Sequence, residues 1–157
     1  MLILFRIDDR LIHAQVVVGW GRKLRPDRII LADDQVSAED WEKELYTSAA
    51  EPDFKATVLT LAEAAEQIEG GVFDSEKIFL LVRGPAEALE MLDKGLDTNE
   101  INVGGLHFRE GREKITENVW VDGEEKGLLR DIVKKGITLE ARALPGDERI
   151  TINSKVV

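Results

Sequence analysis

The sequence predicts an α/β fold in which a mostly parallel central sheet has helices on both faces. Short apolar runs alternate with helix-like segments along the whole chain, which is the pattern of such folds. The run at 77–82 is almost wholly apolar, as expected of a central strand buried on both faces. The 157 residues contain no repeat, linker or low-complexity segment, so we predict one domain over 1–157.

The first half of the chain is predicted to alternate strand and helix. Ile12, Val16 and Trp20 are spaced four apart, which places them on one face of a helix. Pro52 ends the second helix, and the glycines at 70–71 end the third. The predicted strands are 2–7, 28–32 and 55–60, and the predicted helices are 11–24, 40–50 and 61–68.

The second half continues the alternation. Pro85 at a helix start and Gly95 past its end bracket the fourth helix. The remaining predicted strands are 77–82, 101–103, 114–121 and 138–143, and a last helix is predicted over 124–135.

The composition of the chain indicates which binding partners and which cellular compartment suit it. The net charge of −10 is spread along the chain, which disfavours nucleic acid and anionic lipid and favours a partner with a basic patch. The basic residues within 22–28 are interpreted as a solvated face. With no cysteine, the chain has no disulfide or cysteine nucleophile, which fits a reducing compartment. The apolar run at 1–5 lacks the order of a secretory signal, so we predict a cytoplasmic protein.

Polar residues, or glycines with a histidine, follow three of the predicted strands. Ligands of open α/β sheets bind outside the carboxyl ends of the strands, so these positions are the candidates for a site. They are Asp8, Asp9 and Arg10 with His13, then Asp33 and Asp34, then Gly104 and Gly105 with His107.

The first group has the residue types that phosphoryl carriage on a histidine requires. An ordinary imidazole, with a pKa of about 6.5, is mostly neutral in the cytosol and can attack phosphorus. Arg10 can bind a phosphoryl dianion through its planar fork, and backbone N–H groups at the helix start can add donors. Asp8 or Asp9 can hold Arg10 or fix the imidazole tautomer. Such a transfer requires no metal and no cofactor.

The other candidates also have plain structural interpretations. His107 lacks a nearby acidic and basic cluster in the sequence and is interpreted as a capping or packing residue. The aspartates at 33–34 are interpreted as a solvated turn, and the glycines at 104–105 as a tight turn first and a phosphate-facing loop second. Trp20 and Trp41 are interpreted as core or edge packing.

The segment 6–16, RIDDRLIHAQV, closely resembles a known signature. It is that of the B subunits of the mannose/fructose/sorbose family of the phosphoenolpyruvate-dependent sugar phosphotransferase system. The similarity continues through Trp20, 30–34, 101–105, 136–137 and Pro145, and so spans nearly the whole chain. The first motif is specific, and the later ones are supportive.

This resemblance implies a phospho-carrier. His13 would accept a phosphoryl group from the phosphohistidine of a IIA subunit and pass it to a sugar held by the membrane subunits IIC and IID. Arg10 would contact the phosphoryl group. The supporting positions would be Arg6, Asp8, Asp9, Ala14 and Gln15, and a pocket would involve Asp33, Asp34, Gly104, Gly105 and His107. Association with the membrane would occur through these partners only, and a homodimer is an open alternative to a monomer.

One residue departs from the family pattern. Ala14 stands where the family usually has glycine after the histidine. If that position requires a positive φ, alanine costs on the order of 1 kcal/mol. If it is helical, alanine is harmless or better, and we favour this interpretation.

Three other functions compete with this one. A response-regulator receiver requires an aspartate at the end of the third strand, where this chain has Thr60 and Leu61. A dinucleotide enzyme requires a glycine-rich turn, whereas Gly19 and Gly21 fall inside a predicted helix. The stronger alternative is a regulatory phosphoprotein of the same fold, which would change binding partners on phosphorylation without driving transport.

Overall fold

A seven-stranded sheet forms the centre of the protein, as predicted. The computed structural model describes residues Met1–Val157. The strand order is β3-β2-β4-β1-β5-β8-β9, and every neighbouring pair is parallel except β8 and β9. The strands of this sheet are β1 Leu2–Asp8, β2 Arg28–Ala32, β3 Lys55–Leu59, β4 Ile78–Val82, β5 Glu100–Gly105, β8 Thr138–Ala141 and β9 Ile150–Thr151. A separate antiparallel pair consists of β6 Glu113–Thr116 and β7 Val119–Val121.

Helices connect most of the strands. A π-helix at Gln15–Gly21 continues into α1 Arg22–Leu24, and the others are α2 Asp34–Ser37, α3 Asp40–Ala50, α4 Leu61–Glu69, α5 Pro85–Asp93 and α6 Gly123–Lys134. A 3₁₀ turn at Asn153–Lys155 ends the chain. The predicted boundaries of α5 are confirmed, since Pro85 occupies its first turn and Gly95 has φ +99° just past its end. No helix combines the length and apolarity that crossing a bilayer requires.

The sheet separates two apolar cores, which confirms the predicted helices on both faces. The larger core has 26 buried residues and includes side chains of α4, α5 and α6, whereas the smaller has 11 and includes those of the π-helix. Side chains alternate along β1, so Phe5 and Ile7 belong to the larger core and Arg6 lies against Trp20 of the smaller one.

The carboxyl end of β1 is a point where connections diverge. β1 leads into the π-helix on the smaller core, while its neighbours β4 and β5 lead towards α5 and α6 on the larger core. Diverging connections leave a crevice at the sheet edge, and this is where open α/β sheets bind ligands. The segment between Asp8 and the π-helix borders that crevice.

Two predicted elements are corrected by the structure. The helix predicted from residue 11 begins only at Gln15, because Leu11 has φ +60° and its N–H bonds the Asp8 carbonyl at 3.0 Å in a tight turn. The strand predicted over 114–121 is two strands, β6 and β7, that reverse direction between residues 116 and 119.

The structure confirms some of the interpretations of the tryptophans and of the basic cluster and corrects others. Trp20 is only 2% exposed, which confirms the packing interpretation, but Trp41 is 65% exposed on α3, so the packing interpretation is wrong there. The basic side chains at 22, 23 and 25 are not buried, as expected of a solvated face. Arg28 instead forms a bidentate pair with Glu76, at 2.7 and 2.9 Å.

Candidate functional site

A buried carboxylate at the end of β1 organises the candidate site. Asp8 Oδ2 accepts from Arg6 Nη2 at 3.0 Å and lies 3.2 Å from His13 Nε2, and Oδ1 accepts from the Arg10 N–H at 3.0 Å. The side chains of Arg6 and Asp8 are fully buried. The two residues that the sequence singled out most strongly, Arg10 and His13, are therefore both joined to Asp8.

The environment of Asp8 keeps its carboxylate ionised. Burial by itself would raise the pKa of Asp8, but the hydrogen bond to His13, the charge of Arg6 and the Arg10 N–H together lower it below its ordinary value. A buried anion of this kind can orient and neutralise a positively charged partner.

Both ring nitrogens of His13 have a hydrogen-bond partner, a carboxylate on one side and a backbone N–H on the other. Because ionised Asp8 can only accept, the proton on Nε2 is assigned to the Nε2–Asp8 hydrogen bond. Nδ1 then carries the lone pair of the ring, which accepts a long hydrogen bond from the Gln15 N–H at 3.3 Å. The side chain is 19% exposed, so a partner can reach it.

Arg10 and Gln15 form the outer side of the loop. Arg10 Nη2 donates to Gln15 Oε1 at 2.7 Å, and Arg10 Nε lies 3.6 Å from Asp8 Oδ1. Ala14, between His13 and Gln15, has φ −53° and ψ −43°. This helical conformation confirms the favoured interpretation of Ala14, because alanine is comfortable where no positive φ is required.

Arg6 supports Asp8 from inside the protein. Its guanidinium donates to Asn102 Oδ1 and to the carbonyls of residues 142 and 143, besides Asp8, and lies 5.2 Å from the centre of the Trp20 ring. Trp20 Nε1 donates to the Ala143 carbonyl as well, at 2.8 Å. Burial lowers the pKa of Arg6, although the charge of Asp8 opposes this shift.

The glycines at 104–105 are not a turn, which corrects the sequence interpretation. Both lie in β5, and a Cβ on Gly104 would stand 1.7 Å from Arg6 Cζ. A Cβ on Gly105 would stand 3.1 Å from Asp8 Oδ1. These positions lack side chains because the buried Arg6–Asp8 pair occupies the space, and not because the backbone turns there.

The prediction of a solvated turn holds for Asp34, which is exposed, but is wrong for Asp33, which is buried. Buried Asp33 caps α2 by accepting from the Val36 N–H at 2.9 Å, and its other oxygen accepts from Arg83 Nε at 2.9 Å. That hydrogen bond raises the pKa of Arg83. Asp34 accepts from the Leu61 N–H at 2.9 Å. Neither aspartate contacts His13, so the structure separates this pair from the loop that carries Arg10 and His13.

His107 belongs to a cluster that the sequence interpretation missed. Asp9 Oδ1 contacts His107 Nδ1, and Asp9 Oδ2 accepts from the His107 N–H at 3.0 Å. Arg112 lies 3.5 Å from Asp9 and forms a bidentate pair with Glu125 at 2.9 and 2.7 Å. The cluster was missed because Asp9 and Glu125 are remote from His107 in the chain, and only Arg112 is near it.

A cleft of about 510 Å³ opens beside this cluster, on the side of α5 and α6. Its volume falls within the range of small-molecule sites, but its lining is mostly polar. Asp9 comes from the end of β1, Arg83 and Glu87 from the start of α5, and His107 and Arg109 from the segment after β5. The cleft therefore occupies the crevice at which the connections of the sheet diverge.

Glu87 in this cleft gives a stability prediction. Burial, reinforced by the charge of Asp33, raises the pKa of Glu87. The charged carboxylate is therefore less stable in the folded protein than in the unfolded chain near neutral pH. We expect Glu87→Gln to raise the free energy of unfolding at pH 7 by less than about 1 kcal/mol, because water screens the partly exposed group. Urea unfolding should show the gain shrinking as the pH falls and wild-type Glu87 becomes protonated. Glu90→Gln, at an exposed position of α5, is the control; an equal gain there would refute the burial argument.

Comparisons with known proteins cover nearly the whole chain. Residues 2–156 match the family described as PTS system sorbose subfamily IIB component. The sorbose-specific EIIB component of Lacticaseibacillus casei is 30% identical over 156 residues, 99% of this chain and 95% of the relative. The mannose-specific EIIAB component of Escherichia coli K12 is 32% identical over 94% of this chain, which covers 46% of that relative. The crystal structure of the IIBSor domain of the Klebsiella pneumoniae sorbose permease superposes with a TM-score of 0.90 at 31% identity, covering 99% of this chain and 96% of that one.

Proposed function

Because the chain belongs to the sorbose subfamily of IIB components of the sugar phosphotransferase system, we propose that it carries a phosphoryl group on His13 from a IIA donor to a sugar. Members of this family are phosphotransferases of sugar uptake. The observation that carries the proposal is the pairing of a reachable imidazole with an ionised, buried carboxylate, Asp8.

The geometry favours Nδ1 as the attacking atom. Asp8 accepts from Nε2, so the lone pair of the neutral ring is on Nδ1, where it holds only the long hydrogen bond from the Gln15 N–H. The P–N bond of the donor breaks as the P–Nδ1 bond forms. Both ring nitrogens are then substituted and the ring is cationic. Asp8 neutralises that charge, and the cationic ring remains a good leaving group for the next transfer.

Donors for the phosphoryl oxygens lie around Nδ1. The Gln15 N–H already donates to this atom, and the Gln15 side chain accepts from Arg10. A guanidinium and a backbone N–H are suitable ligands for a dianion. Arg10 is 40% exposed, so an incoming phosphoryl group can reach its guanidinium.

The partners follow from the family. The mannose-specific relative has A and B parts in one polypeptide, which supports a IIA phosphohistidine as the donor. The acceptor would be a sugar presented by membrane subunits IIC and IID, with this chain on the cytoplasmic side and at the membrane only through them. The net charge of −10 suits partners with basic contact surfaces and disfavours nucleic acid.

The proposal is tested with a reconstituted relay. Labelled phosphoenolpyruvate, the general phosphotransferase proteins and the cognate IIA subunit are incubated with this chain. We expect one phosphoryl group that is labile in acid and stable in alkali, and nitrogen-detected NMR should place it on His13 Nδ1. Label on His107, or an acid-stable adduct, would contradict the proposal. A regulatory phosphoprotein would accept the label on His13 but pass none to sugar when IIC and IID vesicles are added.

A further inference from the structure

A row of buried polar side chains crosses three neighbouring strands of the sheet. Arg6 in β1 is paired in register with Asn102 in β5, and Asn102 is paired in register with Glu140 in β8. Residues in register lie on the same face of a sheet, and all three of these side chains are buried. Such a row is stable only when its members satisfy one another with hydrogen bonds.

The Asn102 amide in the middle of this row has one favourable orientation. Arg142 Nε donates to Glu140 Oε1 at 2.7 Å, and Arg149 Nε lies 3.1 Å from Oε2, so the carboxylate is an acceptor. Asn102 Nδ2 is therefore assigned to the side of Glu140, to which it donates at 3.2 Å. Asn102 Oδ1 then accepts from Arg6 Nη1 at 2.5 Å. The reversed amide would place donor against donor and acceptor against acceptor.

Arg6 connects this row to His13 through a shared oxygen of Asp8. Arg6 Nη2 donates to Asp8 Oδ2 at 3.0 Å, and His13 Nε2 lies 3.2 Å from the same oxygen. At the other end of the guanidinium, Nη1 donates to Asn102 and to the carbonyl of residue 142. Because the guanidinium is planar and rigid, the position of Nη1 fixes the position of Nη2. A displaced Arg6 would therefore disturb the oxygen that orients the imidazole.

We propose that Asn102 is a positioning residue for phosphoryl transfer at His13, and that it acts by holding Arg6 against Asp8. The proposal rests on the phospho-carrier function of His13. Asn102 is 1% exposed, so it cannot contact a phosphoryl donor or acceptor that approaches from solvent. Its loss should therefore lower kcat for phosphorylation of His13 and leave the KM for the donor protein unchanged.

The test compares two substitutions of similar size in the reconstituted relay. Asn102→Leu removes the oxygen that accepts from Arg6, whereas Asn102→Asp still presents an oxygen there. We expect Asn102→Leu to lower kcat on the order of 10-fold at an unchanged KM for the IIA donor, because the imidazole is less well placed. Asn102→Asp should keep a kcat closer to that of wild type. Nitrogen NMR of the His13 ring should show the Nε2–H tautomer losing population in Asn102→Leu.

Asn153→Leu is the matched control for the loss of a structural asparagine. Asn153 accepts from the Leu139 N–H at 2.7 Å and donates to the Ile137 carbonyl at 3.0 Å, and neither contact involves Arg6. This change also removes two side-chain hydrogen bonds, so it should lower the free energy of unfolding in urea. We expect kcat and the tautomer of His13 to stay at their wild-type values.

The other outcomes separate the role of Asn102 from the carrier function. A wild-type kcat in Asn102→Leu, or an equal loss in Asn102→Leu and Asn102→Asp, overturns the role of Asn102 and leaves the carrier function intact. A similar loss of kcat in Asn153→Leu would show that reduced stability explains the effect, and it also overturns that role. Failure of the wild type to accept label on His13 contradicts the proposed function itself, and with it this proposal.

Discussion

Asp8→Asn is expected to slow phosphorylation of His13 by about 10²- to 10⁴-fold, the cost of presenting a histidine in the wrong tautomer. Asp8 accepts at both oxygens, from the Arg10 N–H on one side and from Arg6 and His13 on the other. If the new amide keeps its oxygen towards the Arg10 N–H, its NH₂ group faces Arg6 and His13. Nε2 of His13 must then accept, which moves the ring proton to Nδ1 and removes the attacking lone pair.

The same substitution should lower stability in a pH-dependent way. Because the folded pKa of Asp8 is depressed, its contribution is present above the unfolded pKa of about 3.9 and is lost as the pH falls through the folded value. Denaturation by urea should therefore show a larger deficit at pH 7 than in acid. Asp34→Asn, just after β2 and away from His13, is the control for loss of one charge, because β4 separates β2 from β1. Labelling of Asp8→Asn at the wild-type rate would refute the tautomer argument.

Gly104→Ala is expected to destabilise the protein by on the order of 3–5 kcal/mol, through overpacking and the breaking of a buried ion pair. Its Cβ would lie 1.7 Å from Arg6 Cζ, inside the guanidinium. Arg6 is fully buried and bonded to Asp8, Asn102 and two carbonyls, so it has no empty space to enter. The free energy of unfolding in urea measures the loss.

Gly127→Ala provides the opposite expectation with the same chemical change. Gly127 lies within α6, and a Cβ added to it would meet no atom within 4 Å. Alanine there should stabilise the helix by about 0.5–1 kcal/mol. A Gly104→Ala protein as stable as wild type would show that Arg6 can relocate without loss, contrary to the packing described above.

The sequence predicted the sheet, most helices and the proximity of Arg10 and His13 because these depend on local patterns. Apolar runs and the terminal signals of α5 are read within a few residues, and so is the spacing of Arg10 and His13. The start of the first helix was misplaced because apolar Leu11 and Ile12 fit its periodicity, although a tight turn holds Leu11 in the left-handed region.

The remaining features depend on strand register and on remote partners, which a sequence pattern does not contain. The glycine pair looked like a turn because nothing local indicates that β5 lies beside β1, with Arg6 against Asn102. His107 looked isolated because Asp9 is 98 residues away. Asp33 looked solvated because its cation, Arg83, is 50 residues away.

The way Arg6 fills the space above Gly104 also limits how the loop that carries His13 can be inherited or transplanted. An arginine at position 6 tolerates no side chain at 104, so a side chain can be added at 104 only with or after a change at 6. A design that transfers only the loop to another scaffold would lack Arg6, the cation that donates to Asp8. A transplant of this loop therefore has to include both β1, with Arg6, and β5, with Gly104, and not only a contiguous peptide.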